Sequence, residues 1–201
     1  TQAAQFLLSI GDADELRLEG YLARITEMDA VQAGDIFVSL INENVVDVAA
    51  FIEDANQGAN GQILQAMYVE AAKSDELVVT QLVNQAALTP GAIETTADVL
   101  LSIARADIDI VAEILGTTSI DSAPIWQLFV SIDPTAAGVS FVKAHKNGYE
   151  TSITGKIIQL LADQYSAGLL ISHMAREDST EAAAAFLGVI GNPVVEIATL
   201  G

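Results

Sequence analysis

The segment Leu7-Leu8-Ser9-Ile10-Gly11-Asp12-Ala13-Asp14 returns later in the chain as Leu100-Leu101-Ser102-Ile103-Ala104-Arg105-Ala106-Asp107. An internal repeat restricts the folds open to a chain, because each copy of a small unit can bury its apolar face only against the copies on either side. Weaker copies align on the same pattern, giving seven apolar stretches that begin at residues 5, 35, 62, 98, 127, 156 and 184. The intervals between them are 30, 27, 36, 29, 29 and 28 residues, a period of about 30.

A second apolar stretch follows each first one by about eleven residues, over 16–22, 45–52, 77–83, 108–115, 136–142, 167–171 and 194–197. Each unit therefore reads as two short helices. The spacing i, i+3, i+4, i+7 of Leu18, Tyr21, Leu22 and Ile25, and of Val48, Phe51, Ile52 and Ala55, is that of one helix face. A β-protein is the competing reading, since a run such as Glu76-Leu77-Val78-Val79-Thr80-Gln81-Leu82-Val83 would suit a strand. Strict alternation is rare, however, alanine is abundant, and the four prolines at 90, 124, 134 and 193 fall at predicted helix starts or linkers.

Short polar residues separate the paired stretches: Asp12 and Asp14, Asn42 and Asn44, Ser74 and Asp75, Asp133 before Pro134. A short side-chain oxygen there accepts from the exposed N–H groups of the next helix, where negative charge is also favoured, so much of the acidity is expected to be capping. Breaks are expected at Asn56-Gln57-Gly58-Ala59-Asn60-Gly61, at 87–91 as a turn or hinge, and at Lys146-Asn147-Gly148 as a C-cap behind a basic last turn. None is long enough to divide domains, and residues 1–201 read as one continuous all-α array of about seven helix-turn-helix units.

The paired stretches resemble α-solenoid repeat proteins of the HEAT or armadillo type. Segments such as Ser131-Ile132-Asp133-Pro134-Thr135-Ala136-Ala137 are also similar to those in the intracellular helical domain of bacterial magnesium channels. The likeness covers most of the chain and implies stacked helix pairs. It transfers no functional residue, and a unit of about 30 is shorter than the usual 40–47 of HEAT-type repeats.

Acids outnumber bases 27 to 8, a formal net charge of −19. Phosphate-backbone binding needs clustered Lys and Arg, so nucleic acid and anionic membranes are poor partners. Sixteen acids and three bases lie in residues 1–100, which makes that half the more negative. Such charge serves solubility, with a cationic partner or weak binding of divalent ions as the sharper alternative. Hydrophobic residues make up 51%, in runs too short to span a bilayer, so no transmembrane segment is expected. Thr1-Gln2-Ala3-Ala4-Gln5 lacks the basic opening of a secretory signal. The absence of cysteine removes disulfides, thiolate metal sites and a cysteine nucleophile, and is compatible with an extracellular or a cytosolic protein.

No catalytic, cofactor-binding or metal-binding residue is nominated. His145 and His173 sit at unequal places in the repeat with no ligand spacing beside them, and read as surface or cap residues. Ser9, Ser39, Ser102 and Ser131 share one repeat position and read as structural hydroxyls bonding back to the preceding turn. Asp12 with Asp14 and Asp107 with Asp109 read as caps, since the aromatic platforms of a glycosidase are missing. The loop 54–60 has oxygen ligands at alternate places but neither the glycine nor the final acid of an EF-hand. Trp126 reads as core.

Both ends, the first helix near Thr1 and the apolar Val194-Val195-Glu196-Ile197-Ala198, read as uncapped. The expectation is a non-enzymatic repeat protein acting through protein contacts, with a protein partner or a homo-oligomer on its apolar ends. An acidic Ca/Mg-binding extracellular module stands second, and an enzyme with an unrecognised carboxylate site third.

Overall fold

A computed structural model describes residues 2–13, 15–55 and 60–191. Among these, the chain is all-helical and contains no strand. The thirteen α-helices described are α1 (Gln2–Ala13), α2 (Glu15–Met28), α3 (Ala30–Glu43), α4 (Val45–Ala55), α5 (Gly61–Ser74), α6 (Glu76–Ala86), α7 (Ala92–Ala106), α8 (Ile108–Thr117), α9 (Ala123–Ile132), α10 (Pro134–Lys146), α11 (Glu150–Leu160), α12 (Gln164–Glu177) and α13 (Ser179–Ile190). A 3₁₀ turn at Ile120–Ser122 precedes α9. The seven first stretches fall in the odd-numbered helices and six of the second stretches in the even-numbered ones; 194–197 lies outside the described residues.

One residue commonly suffices to turn the chain from helix to helix. Asp29, Asn44, Asp75, Asp107 and Asp178 share an extended conformation, with φ from −153° to −159° and ψ from 91° to 105°. Each keeps its own N–H on the preceding helix, as in Asp75 N to Ala71 O (2.9 Å) and Asp178 N to Met174 O (2.8 Å). The side chain of the same residue accepts from the first turn of the next helix: Asp29 from Gln32 N, Asp75 from Val78 N, Asp107 from Asp109 N. A single Asp or Asn thus ends one helix and starts another, so the orphan groups of both termini are met at one sharp corner. Asp133 does the same ahead of Pro134, whose missing N–H costs nothing in a first turn.

Other breaks are built differently. The segment 87–91 is closed by Leu88 N to Gln85 O and Thr89 N to Ala86 O, each 3.0 Å. At the end of α10 the last turn is basic and Gly148 takes φ +94°, the left-handed conformation that glycine enters without penalty.

Packing runs mainly between next-but-one helices: α1, α3, α5, α7 and α9 touch in series, as do α4, α6, α8, α10 and α12, and α11 lies against α13. Two glycines let the closest pairs meet backbone to backbone. A Cβ on Gly34 of α3 would stand 2.7 Å from Ala71 N of α5, and one on Gly138 of α10 would stand 2.7 Å from the backbone of His173 in α12. The continuous core includes Phe37, packed edge-on to Tyr68 at 5.2 Å between ring centres, and Trp126 edge-on to Phe129 at 5.8 Å. Trp126 is fully buried, with its indole N–H donating to Ser122 Oγ (2.9 Å) and Thr118 Oγ1 (3.2 Å).

Candidate interaction surfaces and buried polar sites

The residues weighed as chemical candidates are used locally. Ser39, Ser102 and Ser131 donate to the carbonyls of Asp35, Asp98 and Gln127 four residues back, and Ser9 to that of Phe6, as their shared position led us to expect. Asp107 caps α8 while Asp109 pairs with Lys143 of α10. His145, nearly buried in the last turn of α10, lies 2.7 Å through Nδ1 from Glu181 Oε2 in the first turn of α13. His173 lies 3.2 Å through Nδ1 from Thr135 Oγ1. Side chains of Asp12, Asp14 and 54–59 lie outside the described residues. Among those described, no group of three or more His, Asp or Glu is placed to hold a metal ion, and no helix is long and apolar enough to cross a membrane.

Polar side chains tie each region to one further along at a nearly constant interval. Examples are Gln5 to Glu43 (2.6 Å), Ser74 to Asp35 (2.7 Å), Thr80 with Thr117 (3.0 Å), Ser119 N to Asn84 (2.8 Å), Gln127 to Asp163 (3.2 Å) and Tyr149 to Glu113 (2.6 Å). These ties span 35 to 39 residues. Donation from Ser166, then Gln127, holds the Asp163 carboxyl below the usual carboxylate range. Asp178 is likewise lowered, chiefly by the Lys146 ammonium 2.7 Å away.

Two buried polar groups were missed in the sequence because they sit inside apolar stretches. Lys156, the opening residue of the sixth unit, is fully buried, and its Nζ donates to Thr118 O and Ser152 Oγ, both at 2.7 Å. Burial pushes its pKa down to about 8. The ammonium satisfies a carbonyl at the C-terminal end of α8, where the helix dipole favours positive charge. Glu19 of α2 and Tyr68 of α5 are also buried, and among the described residues neither Glu19 Oε1 nor the Tyr68 hydroxyl has a hydrogen-bond partner. Burial, then the charge of Glu19, raises the Tyr68 pKa. A Lys or Glu among apolar neighbours at a repeat position was the one available signal for these sites.

Two open hollows lie on the described surface. An open groove of about 470 Å³ lies between α5 and α7, with the carboxamides of Gln62 and Gln65 on one side, Arg105 on the other and Ala66, Val69 and Ser102 along it. A second hollow of about 490 Å³ follows Arg17, Gly20, Tyr21 and Arg24 along α2. Neither places a nucleophile beside a base or two acids across a cleft. Large apolar side chains in solvent are spread along the chain, among them Phe6, Met28, Leu77, Leu88, Tyr165 and Leu187. Compared with models of protein families, with curated proteins and with solved structures, the chain finds no match in any of the three.

Proposed function

We propose that the protein is a non-enzymatic α-solenoid of about seven two-helix units, a structural scaffold that acts through protein contacts and associates with copies of itself. The observation that carries this reading is the interval of the polar ties. These ties join groups 32 to 39 residues apart, as Lys146 with Asp178 and Ser74 with Asp35 do, which is what unit-on-unit stacking requires when the repeat is near 30. Buried ionisable groups support a structural role, since Lys156 is engaged by a helix end and a serine, away from both surface hollows. Self-association is favoured by the large apolar side chains left in solvent.

The test is molar mass by light scattering across a range of protein concentrations. The expected result is a mass that rises above the 21.1 kDa of one chain as concentration increases. A mass of 21.1 kDa at every concentration overturns the self-association part of the reading.

A further inference from the structure

Seven residues before the caps of α4, α6, α8, α10 and α12, which are Asn44, Asp75, Asp107, Asp133 and Asp163, stand Phe37, Tyr68, Leu100, Trp126 and Lys156. All five are buried, so the repeat fills one core place with a large side chain unit after unit. Three of these side chains carry a polar tip. The Trp126 indole N–H donates to Ser122 and Thr118, and the Lys156 ammonium to Thr118 and Ser152. Among the described residues the Tyr68 hydroxyl has no such acceptor.

A second departure from the repeat meets the first. The fifth residue of α4, α6, α8, α10 and α12 is Ala49, Thr80, Ala112, Gly138 and Gly168, small each time, whereas the fifth residue of α2 is Glu19. Helix α2 packs on α5, and after burial the charge of Glu19 is what raises the Tyr68 pKa, which keeps the proton on the hydroxyl. Glu19 is 5% exposed and Tyr68 1%. Glu19 Oε1 and the Tyr68 hydroxyl are both sealed from solvent and bond neither each other nor any other described group.

Leaving a buried donor or acceptor unmade is costly, and such groups in folded proteins are almost always bonded to protein or to ordered water. A guest that satisfies both atoms must fit between two packed helices, donate to a carboxylate oxygen and accept from a phenol. Water does all three. A divalent cation calls for several oxygen ligands, and no group of three or more His, Asp or Glu is placed to hold one among the described residues. We infer that an internal water molecule bridges Glu19 and Tyr68, donating to Glu19 Oε1 and accepting from the Tyr68 hydroxyl. It gives the third unit, by way of water, the polar anchor that Trp126 and Lys156 make directly in later units. The bridge is independent of self-association.

A crystal structure of the unaltered protein tests it. The expected result is a water oxygen about 2.6–3.2 Å from both Glu19 Oε1 and the Tyr68 hydroxyl, and its loss from crystals of Tyr68→Phe. A direct Tyr68 to Glu19 hydrogen bond, a dry contact, a metal ion in the gap, or a water that persists in Tyr68→Phe overturns the inference. In solution, Tyr68→Phe is expected to lower the folded-to-unfolded ratio about 2- to 10-fold in the parent and in Glu19→Gln, which keeps an acceptor oxygen, and less than about 2-fold in Glu19→Leu, which has none. Equal losses in all three backgrounds overturn the bridge. The crystal comparison needs only Tyr68→Phe and decides the matter if Glu19→Leu fails to fold.

Discussion

Lys156 shows how one residue can carry a cost that its neighbours repay. Its ammonium is buried with a carbonyl and a hydroxyl as acceptors, and its pKa falls from 10.5 to about 8. Between those values the unfolded chain holds a proton that the folded chain has released, so folding stability rises with pH across that window. The gain is at most roughly 3 kcal/mol. Lys156→Met is expected to remove this slope, which chemical denaturation at pH 7.5 to 9.5 would show as a flat profile for the variant against a rising one for the parent. Glycines offer a second contrast. Ala at Gly34 places its Cβ against the backbone of α5, and a loss of about 1–3 kcal/mol is expected. Gly20 of α2 has nothing within 4 Å of such a Cβ, and Gly20→Ala should gain about 0.5–1 kcal/mol from helix propensity alone. Melting curves of the two variants should move in opposite directions.

At the scale of elements, the corner residue decides where each helix ends. Asp107 belongs to the hydrogen bonding of α7 through its N–H and of α8 through its carboxylate, so Asp107→Ala is expected to cost about 1 kcal/mol in urea unfolding. The last described helix is held by a denser version of the same device. Basic side chains in the final turn of α10 meet acids at the start of α13, His145 hydrogen-bonded to Glu181 and the Lys146 ammonium paired with the N-cap Asp178, and the lysine and the acids suit the dipoles of their own helices. The Asp178 carboxyl is below its ordinary 3.8 in the folded state, so its contribution is complete above that value and is lost as pH falls through the folded value. Protection factors of α13 amides, the exchange rates divided into the intrinsic rate at each pH, are therefore expected to be lower at pH 3 than at pH 6, with Asp178→Asn narrowing the difference. These corners were partly legible. Asp, Asn and Ser between apolar stretches marked the helix starts, but a sequence gives no sign that one residue would serve both helices, because that depends on its backbone angles.

For the whole molecule, a net charge of −19 opposes the self-association proposed above, and the large apolar side chains left in solvent favour it. Added salt screens the first and leaves the second, so association is expected to strengthen as sodium chloride rises from about 10 mM to 500 mM, where the Debye length shortens from about 30 Å to a few ångströms. Light scattering across that series checks it; a mass that falls with salt would assign the contact to ion pairs instead.

The helices were readable because a 3.6-residue apolar period and a capping oxygen are local properties. So was the burial of Trp126, set by the apolar residues around it. Other features required the tertiary structure. Glu19 and Lys156 lie in apolar stretches like their neighbours, yet which buried atoms they meet depends on helices 38 to 49 residues away in the chain. The backbone-to-backbone approaches at Gly34 and Gly138 also have no mark that separates them from the open Gly20. The apolar period determined which face of each helix turns inward, and only the packed helices decided which large apolar side chains, such as Phe6, Met28 and Leu187, stay in solvent, because exposure belongs to the assembled fold and to no single helix.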